Sequence, residues 1–350
     1  MNRRIKTLTW GAIPLVLLAS LVSIDHIPGT NINLSVPYAA EGPGPTINTL
    51  GQVDGEDVVS ISGADLDETE GNLNMTTVSV RSGMTLSQVI SRWLFTDDTI
   101  VPIEQIFPPG QSTEEVEESN RTAFISSESS ATIAAMNYLN IPVEVEVAEV
   151  LTDSAATGIF EPGDKLLSID GTEISTPGDA QTIVRSKAPG DEITISYERN
   201  DAESQATITL REHPDDSSVA LLGISMLSVP SSAIEVDYNL EDIGGPSAGM
   251  MFSLAVVDKL SPGALNGGKF VAGTGTIAED GSVGPIGGIA HKVRAAEDAG
   301  AEVFLSPADN CAEAMSAKPQ DMTILKVDSL SQAIDQMAAY NEGSDFQTCG

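Results

Sequence analysis

The segment Ile243-Gly244-Gly245-Pro246-Ser247-Ala248-Gly249 runs without interruption into Met250-Met251-Phe252 and Leu254-Ala255-Val256-Val257. This junction constrains the fold more than any other stretch of the chain. Small residues on both sides of Ser247 let the backbone turn tightly and leave its hydroxyl uncovered. The apolar run after it reads as a buried helix, so a core must form around it. Ser247 then stands at a helix N-terminus, where unpaired N–H groups and the positive end of the helix dipole suit a developing oxyanion. Downstream, Lys292 opens an amphipathic stretch with Ile289, Val293 and Ala296 at helical spacing. A lysine kept neutral by burial can act as general base for a serine. Taken singly, a Gly-Pro-Ser-Ala-Gly turn is most often a helix start with serine as its cap. Taken together, the two segments point to a Ser–Lys hydrolase.

Their wording resembles the proteolytic domain of the Lon proteases. That family carries Asp-Gly-Pro-Ser-Ala-Gly around its nucleophile, where this chain has Gly244 through Gly249. A Thr-Gly-Glu-Ile strand is matched by Thr274-Gly275-Thr276-Ile277, and Pro-Ile-Gly-Gly-Leu-Lys-Glu-Lys by Pro285 through Lys292. The segment Ala299 through Pro307 fits the family's helix–strand sequel. The resemblance covers roughly a third of the chain with several motifs in order. It implies Ser247 as nucleophile, Lys292 as base and Thr274 as the residue that orients the lysine. It implies polypeptide substrates, no cofactor and no metal. Lon-like domains commonly form hexameric rings, so a homo-oligomer is implied as well. Two departures stand out: Gly244 replaces an aspartate, and His291 replaces the glutamate beside the lysine.

Other chemistries find no footing. None of His26, His213 and His291 sits in a His-x-x-x-His metal motif or beside a Gly-x-Ser-x-Gly elbow. Gly263 through Lys269 has the glycine–lysine spacing of a P-loop, but Phe270 stands where the Mg²⁺-binding Ser or Thr belongs. The family's ATPase module therefore has no counterpart motif here, and proteolysis is expected to be ATP-independent. The net charge is −34, with acidic residues spread along the chain and no basic stripe, which argues against nucleic-acid binding.

Arg3, Arg4 and Lys6 precede an uncharged stretch from Thr7 to Ile24. Eighteen helical residues rise about 27 Å, just enough to cross a bilayer core. The basic flank places the N-terminus in the cytoplasm and the rest outside. A cleaved signal peptide is the competing reading, but its small-x-small sites are poor, so an uncleaved anchor is expected. Cys311 and Cys349 fall in the last forty residues. In an oxidising exterior they can close a disulfide that fastens the tail; the alternative is two unrelated thiols.

Between anchor and protease, Val58–Ile61 and Thr76–Val80 read as strands, Thr85–Leu94 as a helix and 110–120 as a loop. From Ala131 to Glu212 the signature sharpens. An alternating strand at Val143–Val147 is followed by a Pro162-Gly163-Asp164 turn feeding Leu166-Leu167-Ser168-Ile169-Asp170-Gly171. This resembles a PDZ domain of the bacterial envelope-protease type, which implies a peptide ligand bound by strand addition. Its carboxylate-binding loop is expected near Tyr138-Leu139-Asn140-Ile141.

The expected fold class is α+β: one N-terminal transmembrane helix, a small β-rich region, a PDZ domain and a C-terminal Lon-type domain. The expected boundaries are 1–30 for the tip and anchor, 31–130 for the extracytoplasmic region, 131–214 for the PDZ domain and 215–350 for the protease. The expected function is a membrane-anchored, ATP-independent serine endopeptidase acting outside the cytoplasm. A catalytically silent PDZ-bearing envelope scaffold or chaperone is the alternative.

Overall fold

Two runs of strand-forming sequence far apart in the chain meet in one sheet. The computed structural model describes residues 12–13, 23–27, 29–30, 32–231, 233–240 and 243–350. The first run supplies β1 (Tyr38–Asn48), β2 (Val59–Ser62), β3 (Asn72–Arg81) and β4 (Thr99–Pro102), with α1 (Leu86–Phe95) before the last. Helix α2 (Thr113–Tyr138) follows. Then come β5 (Val143–Val150), β6 (Lys165–Ile169), α3 (Pro177–Arg185), β7 (Glu192–Arg199), β8 (Ala202–Thr209), β9 (Arg211–His213), β10 (Asp216–Leu221) and β11 (Ile224–Pro230). The last part holds β12 (Glu235–Tyr238), α4 (Gly249–Leu260), β13 (Phe270–Gly273), β14 (Thr276–Ile277), β15 (Val283–Gly284), α5 (Ile289–Asp298), β16 (Val303–Pro307), α6 (Cys311–Ser316), β17 (Thr323–Val327) and α7 (Leu330–Glu342).

The shared sheet has the order β17-β16-β13-β3-β1-β4. Strands β3, β13, β16 and β17 are mutually parallel, with Leu73 opposite Val271, whereas β1 runs antiparallel to both β3 and β4. Parallel neighbours need a crossover, and α5 and α6 supply those between β13, β16 and β17. Period-two alternation buries both faces. Val271, Val303 and Leu305 join the core that contains α4, while Ala272 and Phe304 join a second core with Ile289, Val293 and Ala296 of α5. Helix α4 is enclosed on all sides, as its uninterrupted apolar run requires. Phe252 packs edge-on to Phe124 of α2 at 5.7 Å and against Tyr238 at 4.7 Å.

Between α2 and β12 lies a sheet of order β8-β7-β6-β5-β11 with its own apolar core, including Val145, Val147, Leu166, Ile169, Val184, Ile193 and Ile195. This unit is therefore inserted between strands that share or flank the six-stranded sheet's core rather than set before them. Strand β2 pairs with β12 across the insertion.

Several expectations are corrected. The architecture is mixed α/β, because β13, β16 and β17 run parallel to one another through helical crossovers and β13 pairs in parallel with the N-terminal strand β3; a separate α+β arrangement does not hold. The expected transmembrane helix is also overturned: among the described residues no helix is long and apolar enough to cross a membrane, and the Thr7–Ile24 segment lies for most of its length outside them. Residues 38–102, expected in a region apart, supply three strands of the shared sheet. The expected loop at 110–120 is mostly the start of α2. Its N-terminus is fixed by a capping box in which Ser112 and Glu115 each accept from the other's backbone N–H.

Candidate active site

The turn that carries Ser247 is held from two sides. Gly245 has φ 87, a left-handed conformation that favours glycine, and Pro246–Ala248 form a single 3-10 turn leading into α4. Helix α2 braces this turn: Asn120 O accepts from the Gly245 N–H at 2.9 Å, and Ser127 Oγ donates to Pro246 O at 3.1 Å. From the opposite side, the Gly275 N–H donates to Ser247 O at 2.9 Å and the Met250 N–H to Gly275 O at 3.2 Å. The elements crowd closely here. A Cβ on Gly249 would lie 2.6 Å from Ser127 Oγ and 2.7 Å from Ile277 Cγ2, so only glycine fits at the head of α4.

The three residues singled out from the sequence converge. Lys292 Nζ lies 2.8 Å from Ser247 Oγ and 2.9 Å from Thr274 Oγ1. Thr274 Oγ1 in turn donates to Ser247 O at 3.0 Å. With its only proton committed to that carbonyl, the threonine hydroxyl faces the amine as an acceptor. A neutral amine then turns one N–H toward Thr274 and is free to turn its lone pair toward the Ser247 hydroxyl. The geometry thus arranges serine-to-lysine proton transfer.

Burial sets the charge state. Lys292 is only 3 % exposed and Thr274 fully buried. Desolvation pushes the Lys292 amine down from its ordinary value to about 8, and no carboxylate lies within ion-pairing distance among the described residues to reverse it. His291, beside Lys292, points away from the dyad: its Nε2 lies 3.0 Å from Thr99 Oγ1 of β4, and burial lowers its pKa. A cavity of about 390 Å3 opens onto Ser247 and Lys292, walled by Met75, Thr77 and Val78 of β3 and by Ile243, Gly244 and Gly287.

The inserted unit has a groove of its own, about 540 Å3, between α3 and the edge strand β11. Ala180, Gln181, Val184 and Arg185 form one wall; Leu221, Leu222, Gly223, Ile224 and Met226 form the other. Strand β11 pairs with β5 alone in its sheet, so its outer edge faces the groove. The residues expected as the carboxylate-binding loop lie elsewhere. Tyr138 ends α2, and Leu139 and Ile141 pack against the protease core. Leu221-Leu222-Gly223, which leads into β11, occupies the place expected of them.

Asn120 and Ser127 were not legible as parts of the site. The capping box Ser112-x-x-Glu115 was the available signal that a helix passes through them.

Two family models match the chain: a PDZ domain over residues 110–210, and the Lon protease (S16) C-terminal proteolytic domain over residues 227–339. Among curated relatives, a Lon protease of Metamycoplasma arthritidis is 38 % identical over 84 residues, 24 % of this chain and 9 % of that protein. A putative zinc metalloprotease of Mesorhizobium japonicum is 40 % identical over 74 residues, 21 % of this chain and 20 % of that protein. The chain thus spans a fifth or less of the length of these relatives. Among solved structures, the PDZ domain of the SdrC-like protein from Listeria monocytogenes is 28 % identical, covering 23 % of this chain and 85 % of that one, with a TM-score of 0.22. The chain carries a PDZ domain and a Lon-type proteolytic domain. The latter is the domain of a serine peptidase.

Proposed function

We propose that the protein is a serine endopeptidase in which Ser247 is the nucleophile, Lys292 the general base and Thr274 the residue that orients the amine. The observation that carries this reading is the buried contact of Lys292 with both hydroxyls, 2.8 and 2.9 Å, with no ion-pair partner for the amine among the described residues. Lys292 takes the Ser247 proton as Oγ attacks the peptide carbonyl. The resulting ammonium returns that proton to the leaving amine, and water then releases the acyl group. Backbone N–H groups around Ser247 are the natural oxyanion donors; Pro246 has none to give and that of Gly245 is taken by Asn120 O. None of these steps consumes a nucleotide.

The PDZ groove accepts an extended peptide that adds a strand to β11, with side chains entering between α3 and Leu222. The location is extracytoplasmic, a reading supported by the Cys311–Cys349 disulfide, which closes across 38 residues and belongs to an oxidising compartment. Assembly into a homo-oligomeric ring rests on the resemblance to Lon proteases.

The test is casein degradation by Ser247→Ala, Lys292→Ala and the double variant. Residues acting as one unit are non-additive, so each single variant should be as inactive as the double. Substantial activity in a well-folded single variant would exclude the dyad, whereas no activity in the unmodified protein would leave the silent-scaffold reading. A reporter fused after Gly350 should be active only outside the cytoplasm.

A further inference from the structure

Helix α2 borders a second cavity, of about 900 Å3, which shares Ile243 and Gly244 with the one over Ser247. Its walls are of two kinds. Phe124, Tyr238 and Ile243 present apolar surface, while Glu128 presents a half-buried carboxylate. Beside it the Tyr238 hydroxyl and Thr132 Oγ1 bond each other at 2.8 Å, and Thr132 Oγ1 also donates to the Glu128 backbone O at 3.2 Å. Among the described residues the Glu128 carboxylate has no hydrogen-bond donor and no ion-pair partner, and desolvation alone governs it. A carboxylate withdrawn from water without a partner is costly, and an entering cation offsets that cost. A long aliphatic stem ending in a cation meets both walls at once: the stem against Phe124 and Ile243, the head at Glu128. An extended substrate over Ser247 passes Gly244, which has no side chain to bar the way into this cavity.

We propose that this cavity is a substrate subsite that selects a lysine or arginine side chain near the scissile bond, with Glu128 as the specificity-determining residue. The inference rests on the Ser–Lys reading of the adjoining site and adds its substrate class. It also carries a pH signature. Burial pushes the Glu128 carboxyl up to about 7. Glu114, Glu117, Glu118 and Arg121 of α2 line the same cavity, as does Tyr238 of β12, whose phenol burial pushes upward and so keeps neutral. A carboxyl with a raised pKa is neutral below that value and charged above it. Selection of a cation should therefore strengthen as pH rises through about 7.

The experiment uses the full chain and matched fluorogenic peptides in which one residue, scanned through the positions flanking the scissile bond, is lysine, norleucine or glutamate. The readout is the ratio of kcat/KM between the lysine and norleucine peptides. Taking a ratio cancels the titration of Lys292, which acts on both. At one position or more the ratio should be about tenfold at pH 8.5 and fall toward one at pH 6. Glu128→Gln should bring it to within about twofold of one at every pH, whatever the absolute rates, and Glu128→Lys should turn preference toward the glutamate peptide. A ratio near one at every position in the unmodified protein would overturn the proposal while leaving the Ser–Lys reading standing, provided the norleucine peptide is cleaved and Ser247→Ala stops it. A lysine preference that persists unchanged in Glu128→Gln would also overturn it. Absence of any Ser247-dependent cleavage would overturn both.

Discussion

The cavity over Ser247 and the groove beside β11 are built on opposite terms. Around Ser247 the side chains are tied down: Thr274 to Ser247 O, Gly275 N–H to the same carbonyl, Ser127 to Pro246 O, and Lys292 to two hydroxyls. At the groove, strand β11 pairs on one side only, and the lining is mostly apolar. A reacting centre gains from atoms that cannot move when charge develops, whereas a recognition groove gains from an open strand edge that a partner completes. The first site should be sensitive to single atoms, the second to shape and apolar area.

The largest expected separation comes from Lys292→Met. Peptide hydrolysis should fall by about four orders of magnitude, the scale of losing a general base, while affinity of a peptide for the PDZ groove stays within about twofold. Isothermal titration beside a turnover assay checks both. A comparable loss in PDZ binding would show that the two sites are not separate. Next in size is Thr274→Val, which keeps shape but removes the hydroxyl that aims the amine. A drop of about a hundredfold in kcat with little change in KM is expected, as for an interaction made chiefly in the transition state. A change confined to KM would assign the threonine to substrate binding instead.

Proton competition gives a smaller and graded effect. Below about 8 the Lys292 amine is an ammonium and cannot act as base, so kcat/KM on a neutral peptide should climb roughly tenfold per pH unit and level off above that value. PDZ affinity for a neutral apolar peptide should stay nearly level over the same range. A pH–rate profile centred near 10 would mean that the buried amine feels water or carboxylates after all. Smallest is Met226→Glu in the groove wall, expected to weaken peptide capture by about tenfold without altering turnover of a short peptide. If short-peptide turnover falls in step, the groove is coupled to the dyad and the contrast between the sites is softer than drawn.

The site was more legible in the sequence than the fold around it. Ser247, Thr274 and Lys292 each sit in a local phrase whose glycines and apolar run can be read without knowing what lies opposite. Their three-way contact then follows from short strands and helix starts. The partners of β13 could not be read that way. Strand β3 is its neighbour across nearly two hundred residues, with Thr76 Oγ1 donating to Gly273 O, and no local pattern encodes which strand a buried parallel strand will find. The PDZ elements at Val143–Val150 and Lys165–Ile169 match their alternation and turn residues closely. Its groove did not, because Leu221-Leu222-Gly223 gains meaning only when α3 is placed beside it. The membrane helix was inferred from apolar length alone, and the described helices contain nothing that fits it.

The insertion of the PDZ unit between strands of the six-stranded sheet has a consequence for synthesis. A ribosome emits β1 and β3 early, then the whole PDZ unit, and only afterwards β13, the strand that β3 requires. At about 5–20 residues per second the wait between β3 and β13 lasts roughly 10 to 40 seconds. During that interval the PDZ core, closed within its own stretch of chain, can fold while the catalytic sheet is still open on one edge. Thr274 and Lys292 arrive after Ser247, so an unfinished chain holds a hydroxyl with nothing to deprotonate it. On the Ser–Lys reading proposed above, a chain cannot cut its surroundings until Lys292 has been added and the sheet has closed.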